Sequence, residues 1–323
     1  MERRRTQPTL MDDYVSELGD PKIRAKLARL NAAVPWERLA APISATYDND
    51  TAKGGRPNVP VVMMLKVVLL QKWFNLSDPM MEGMLLDRIS FREFVGLNMT
   101  DGTIDETTIV QFRKRLREHG LMATLFDDVV THLTEQGLIV EEGTLVDATI
   151  IEASKGKPTE DGLGNTKQKT AGYTKKHGRT YHGYKAHIAA DAHGVITDYV
   201  YDTASVHDSK HIDQLIEGEK QAVFADSAYM DKDRKARLES AGVFCGIIER
   251  RVRGQKDLTP GQKAHNRLCA SFRAFVEHPF AWMQRAGGFI RVRYRGLSRN
   301  ALDFGLGAIA YNYERSLSLA LEC

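Results

Sequence analysis

Near residue 141 the chain changes its apolar period, and that change limits its fold more than any other feature. Before it, apolar residues recur at helical spacing; after it, they fall in short runs rich in β-branched and aromatic residues. On the helical side, Val15, Leu18, Ile23, Leu27 and Leu30 predict a helix over about 12–31, interrupted at Gly19-Asp20-Pro21. KGGRPNVP, residues 53–60, reads as a loop, and a helix follows over 61–73. Ser77 or Asp78 is expected to cap a helix with Pro79 in its first turn, and Ser90 a short one. Asp105 or Thr107 caps TIVQFRKRLREHG, which ends at Gly120. Short helix, turn and basic helix is the order of a helix-turn-helix, whose second helix, carrying Arg113, can enter a major groove.

Beyond residue 141 the runs GTLVDATIIEA (143–153), YHGYKAHIAAD (181–191), GVITDYVYDTA (194–204), QAVFADSAY (221–229) and GVFCGIIER (242–250) predict strands. Helical stretches at 207–219 and 232–242 separate the later ones. Three strands followed by strand–helix alternation predict an α/β mixed sheet flanked by helices. The expected division is an all-α N-terminal domain over 1–140 and an α/β domain over 141–323. Residues 154–180, rich in Lys, Gly, Thr and Ser without apolar period, read as a mobile basic loop.

The net charge of +3 over 323 residues excludes a polycation, but the charge is unevenly placed. Residues 250–300 hold twelve Lys and Arg against two acids, Asp257 and Glu277; residues 155–187 hold eight against two. Two basic bands on an otherwise acidic chain suggest a polyanion-binding surface. Lys167, Lys169, Lys175 and Lys176 of the second band are candidate phosphate contacts.

Three acids stand out against their surroundings. Asp147 lies inside the apolar strand LVDATI, where a carboxylate is costly unless paired or bound to a metal. Asp226 repeats this in VFADSAY. Glu277 is nearly alone in the +10 band, on a helix expected over about 262–286. Steps of 100° put Asn266, Ala270, Arg273, Glu277, Ala281 and Gln284 on one stripe of that helix. Three oxygen ligands without a His or Cys cluster suit Mg²⁺ or Mn²⁺. Two such ions activate an attacking hydroxyl and stabilise a leaving oxygen at a phosphodiester.

Other chemistries are less well supplied. His207 and His211 have the spacing of a zinc pair but lack a third ligand. GLGNTKQKT, residues 162–170, lacks the P-loop pattern, so no nucleotide cofactor is expected. Cys245, Cys269 and Cys323 are too far apart for a disulfide framework. The N-terminal arginines are not followed by an apolar run, so no secretory signal is expected. The longest apolar stretch, residues 59–70, is broken by Lys66 and falls short of the ~20 residues of a membrane span. A reducing cytoplasm is the expected setting.

Taken together and in order, these motifs resemble the DDE transposases of bacterial insertion sequences, the group with a helical N-terminal transposase domain before an RNase H-like core. The matching residues run from Arg56 to Asn312. They are Arg56-Pro57, NLSD, DETT and FRKRL; then VDATIIEA, YHGYKAH, TASVHDS and ADSAY; then RAFVEHPFAWMQ and RYRGLSRNALDFGLGAIAYN. The resemblance implies that Asp147, Asp226 and Glu277 form the catalytic, metal-binding triad. It places the family's Arg on Arg273 and sets Lys185 and His187 on the second strand near the acids, as DNA contacts. Where the family often has Tyr and Lys on the Glu helix, this chain has Ala270 and Gln284, the latter followed by Arg285; Arg273, Gln284 and Arg285 are the expected grip on the DNA end. The implied activity is binding of terminal inverted repeats, metal-dependent cleavage there, and joining of 3′-hydroxyls to target DNA by a homodimer or larger assembly. The alternatives are a nuclease of the same fold that does not join, and a non-enzymatic DNA-binding regulator.

Overall fold

In the computed structural model, residues 20–47, 57–154, 168–176, 178–251 and 254–322 are described. The chain divides into two compact units: Met1–His132 with Ile309–Cys323, and Leu133–Ala308.

The first unit is helical. Asp20 accepts from the N–H of Lys22 and caps α1 (Pro21–Ala33), with Pro21 in its first turn, where no N–H is needed. Next come α2 (Trp36–Ser44) and α3 (Val61–Trp73). α3 is buried on nearly every side, as a helix apolar all round must be. Its Lys66 is sheltered over the rings of Trp36 and Phe94, 5.3 and 5.2 Å from their centroids. Ser77 caps α4 (Asp78–Asp87) by accepting from Met80 N–H. α5 (Ile89–Val95) ends at Gly96, whose φ of 90° is the left-handed cap that glycine adopts freely. Ser90, expected as its cap, lies inside it and is buried. Asp105 caps α6 (Glu106–Glu118), and α7 (Leu121–Glu135) follows.

The C-terminal helix α12 (Leu297–Glu322) runs through the unit boundary. Its last turns belong with the N-terminal helices, contrary to an α/β domain reaching residue 323. The reason is packing: Trp73 Nε1 donates to Ala310 O, Lys26 pairs with Glu314 at 2.7 Å, and Arg29 donates to Leu317 O.

The second unit is built on a six-stranded mixed sheet. β1 (Thr144–Glu152) pairs antiparallel with β3 (Arg179–Ala190), and β3 with β4 (Ile196–Thr203). On its other edge β1 pairs parallel with β5 (Ala222–Ala225), and β5 with β6 (Phe244–Ile247). The order β4-β3-β1-β5-β6, with the last two strands parallel to the first, is RNase H-like. β2 (Gly172–Lys176) pairs with the first half of β3, so part of the stretch expected as a loop is strand. On the other edge of β3, Gly183 leaves room for β1: a Cβ there would stand 2.1 Å from Ile151 O. The rest of that stretch, 155–167 with Lys167, lies outside the described residues. Val146, Ala189, Val223, Ala225 and Ile247 form one apolar face, covered by Ile212 and Leu215 of α8 (Ile212–Leu215) and Leu238 of α9 (Lys232–Ser240).

The helix expected over 262–286 is two helices. α10 (Pro260–Arg273) ends in a 3-10 turn, Ala274–Val276, and α11 (Glu277–Arg285) begins after it. Proline explains the break. In a continuous helix the ring of Pro279 would clash with the Phe275 carbonyl and supply it no N–H; in the first turn of a new helix neither cost arises. No helix among the described residues is long and apolar enough to cross a membrane.

Candidate active site

Two strands set the positions of the two aspartates. In the parallel β1–β5 ladder Val146 is the partner of Ala225, so the residues that follow, Asp147 and Asp226, emerge side by side. Asp147 is still within β1, between β3 and β5; its Oδ1 accepts from Ala148 N–H at 2.7 Å. Asp226 stands just past β5 as the cap of a 3-10 turn, Ser227–Tyr229. Its Oδ1 accepts from both the N–H and the hydroxyl of Ser227, at 2.5 and 3.1 Å.

Arg273, the last residue of α10, lies between them. Nη2 is 3.7 Å from Asp147 Oδ2 and Nη1 is 3.8 Å from Asp226 Oδ1. Burial pushes the Asp147 carboxyl above its ordinary range; the Ala148 hydrogen bond and the charges of Arg273 and Lys176 draw it back, and Asp226 opposes them. A carboxylate held in this way is stabilised by any cation placed beside it.

The donor chemistry therefore fits a hard dication at the pair. Both groups are oxygen ligands, they converge on one positive group, and the Asp147 carboxylate is partly desolvated. Glu277 is exposed at the first position of α11, and no group of three His, Cys, Asp or Glu side chains arranged for a metal occurs among the described residues. The 3-10 turn also breaks the stripe expected to unite Arg273, Glu277 and Gln284. Gln284 and Arg285 lie in the last turn of α11, where Gln284 is exposed.

The expected DNA contacts divide by burial. Lys169, Lys175 and Lys176 are exposed, the last two on β2. Three others are interior. Arg113 is buried in the helical unit, ion-paired with Asp78 and donating to Gln71 Oε1 at 3.0 Å. Lys185 is buried against Asp208 Oδ1 and Val206 O, at 2.7 and 3.0 Å. His187 is fully buried, with Nδ1 3.2 Å from the Tyr229 hydroxyl. All three serve the fold rather than a DNA surface. Among the described residues His207 and His211 belong to no metal-binding group of three: His207 Nδ1 accepts from Ser209 N–H, and His211 Nε2 lies 3.3 Å from Asp202.

Sequence reading missed the supports around Asp226. Arg234 is buried, donates to Tyr229 O at 2.6 Å, and is held in turn by Asp213 and Ser209 O. The only sequence signal was an arginine at a helix start shortly after an acid-bearing strand.

Comparison with known proteins gives the family of the chain. The family model described as "Transposase DDE domain" matches residues 139–313, more than half of the chain. That described as "Transposase domain (DUF772)" matches residues 16–115. Among solved structures the chain is similar to a piggyBac transposase synaptic complex with hairpin DNA (12% identity, 97% of this chain and 77% of that chain, TM-score 0.43). It is also similar to the Mos1 strand transfer complex (13% identity, 84% and 81%, TM-score 0.25). On the family match, the chain belongs to the insertion-sequence DDE transposases, a family that generally uses divalent metal ions.

Proposed function

We propose that this transposase binds the terminal inverted repeats of its element, cleaves the DNA there, and joins the freed 3′-hydroxyls to target DNA. The observation that carries the reading is the convergence of Asp147 and Asp226, from neighbouring parallel strands, on one cationic group. Asp147 and Asp226, with Glu277 as third ligand, are the residues that would hold Mg²⁺ or Mn²⁺, as a pair of ions. Such ions, when bound, supply Lewis acidity to the attacking and leaving oxygens of a phosphodiester.

The remaining roles fall to the chain itself. The β1 ladder fixes Asp147, and Ala148 N–H holds one of its oxygens. Ser227 orients Asp226. Arg273 favours the ionised form of Asp147. Gln284 and Arg285 on α11, and Lys169, Lys175 and Lys176, present hydrogen-bond donors to phosphate. The helical N-terminal region recognises the element ends and makes dimer contacts, because two ends must be held together. No nucleotide cofactor is required, since each step exchanges one phosphodiester for another or for attack by water. The setting is the bacterial cytoplasm, on chromosomal or plasmid DNA.

The test is a cleavage and strand-transfer assay on the DNA flanking the coding sequence, with pre-cut ends included to separate joining from cutting. Asp147→Asn, Asp226→Asn and Glu277→Gln should each abolish cleavage in Mg²⁺ while end binding persists. Cleavage at the wild-type rate by any one of them would remove that residue from the triad.

A further inference from the structure

Beneath the aspartates lies a cluster of polar groups that the reaction itself does not use. Lys185, His187, Asp208, His211 and Tyr229 meet on the face of the sheet opposite Asp147. Strand alternation puts Val146 and Ala148 on that face, with His187 as the ladder partner of Ala148. Interior polar groups are costly unless each is satisfied. Here several are gathered under the strand that carries one aspartate and beside the turn that carries the other.

Asp226 lies past the last β5 residue, so the sheet ladder does not hold it. It is held by its turn, in which Tyr229 N–H donates to Asp226 O at 2.9 Å. The far end of that turn is anchored twice. Arg234 donates to Tyr229 O, and the Tyr229 side chain, 1% exposed, packs against the apolar face of the sheet. Its hydroxyl passes under β1 and reaches His187 Nδ1 on β3. β3 and β5 flank β1 on opposite edges, so this hydrogen bond spans the strand that carries Asp147.

Burial draws the His187 pKa down to about 4, so the ring is neutral. Its Nε2 is buried without a hydrogen bond and lies 4.0 Å from Asp208 Oδ1. We assign the tautomer with the proton on Nε2, facing that carboxylate, which leaves Nδ1 to accept from the Tyr229 hydroxyl. The Tyr229 phenol carries the O–H and donates this hydrogen bond.

We propose that the Tyr229–His187 hydrogen bond is a positioning device that sets the Asp226 turn relative to β1, and with it the separation of the Asp147 and Asp226 carboxylates for the cation they share. Tyr229 and His187 are positioning residues: neither touches substrate. The inference rests on the reading of Asp226 as a metal ligand.

The test uses the full-length, DNA-free protein and Mn²⁺ alone, with free Mn²⁺ read by electron paramagnetic resonance and stability by thermal unfolding. Tyr229→Phe removes one oxygen and keeps the ring. It should weaken Mn²⁺ binding by about tenfold, the usual loss when a ligand's support is removed, with the unfolding temperature little changed. His187→Asn places an amide oxygen near the position of Nδ1 and should retain more Mn²⁺ affinity than His187→Leu. Tyr229→Phe binding Mn²⁺ like the wild type, or His187→Asn faring no better than His187→Leu, would overturn the proposal. Asp226→Asn separates the two layers of the argument. If it loses Mn²⁺ while Tyr229→Phe does not, only the positioning inference falls. If it binds Mn²⁺ normally, the assignment of Asp226 and the inference fall together.

Discussion

Replacing Arg273 by Ala would remove the guanidinium between two carboxylates and leave Asp147 with less to offset its own burial. The two ion-pair distances are 3.7 and 3.8 Å. A unit charge about 4 Å away, at an effective dielectric constant of about 20, is worth about 4 kcal/mol. The site is partly open to solvent, so screening reduces this to about 1–3 kcal/mol. The sign with pH follows from the raised Asp147 pKa. A group that binds its proton more tightly when folded gives its full stabilisation below the unfolded value, and loses it as pH rises through the folded one. Without Arg273 that folded value rises further, so the extra destabilisation appears at neutral and alkaline pH and fades in acid. The assay is urea unfolding of the metal-free protein at about pH 3.5, below the raised Asp147 value, and at about pH 8. Arg273→Ala should lose about 1–3 kcal/mol at the higher pH and less at the lower. Asp147→Asn should recover most of that loss in the Arg273→Ala background, as a double-mutant cycle would show. Equal losses at both pH values, or no recovery by Asp147→Asn, would mean that Arg273 acts by packing, and the electrostatic account would be refuted.

Other outcomes are expected. Arg113→Ala should destabilise the helical unit by about 1–3 kcal/mol, because it removes the buried guanidinium from Asp78, which then keeps its hydrogen bond from Gln71 Nε2; a variant as stable as the wild type in chemical unfolding would contradict that pair. Changing Lys169, Lys175 and Lys176 to Ala should flatten the salt dependence of DNA binding by about 0.9 in log–log slope for every phosphate these lysines neutralise; an unchanged slope would show them to be merely solvated. EDTA should stop cleavage and joining, and Mg²⁺ or Mn²⁺ should restore both; restoration by Zn²⁺ alone would point away from an all-oxygen site. Gln284→Lys adds a positive charge to an exposed position and should tighten end binding at fixed salt, so weaker binding would place that turn away from the DNA.

The strands were the most legible part of the fold. Runs rich in β-branched and aromatic residues marked β1, β3 and β4 to within a few residues, and the RNase H-like order was implied by the resemblance. Asp147 and Asp226 could be picked out because an acid in an apolar strand is costly, whatever the fold around it. Charge was a poorer guide. Arg113, Lys185 and His187 looked like surface residues because basic side chains usually are, yet each is buried. Their partners come from elsewhere in the chain: Asp78 and Gln71 for Arg113, Asp208 and Val206 for Lys185, Tyr229 for His187. A local pattern carries no record of such pairings. The same holds for the last turns of α12, which lie at the end of the sequence but pack with its beginning.

Glu277 shows a different limit. Its helical period was read correctly on each side of residues 274–276, and the error was to join the two halves. Pro279 held the information, because a proline fits a first turn and breaks an interior. The break changes what the three acids have in common. Asp147 is fixed by ladders on both sides of β1, and Asp226 by a turn anchored through Tyr229 and Arg234. Glu277 starts a nine-residue helix of its own, joined to Arg273 only by a 3-10 turn. Under the proposed function, one ligand is thus set by the sheet, one by a turn anchored to it, and the third by the placement of a short helix. Substitutions in the turn Ala274–Val276 should therefore disturb the contribution of Glu277 while leaving the Asp147–Asp226 pair in place, and Mn²⁺ binding compared with cleavage would tell the two effects apart.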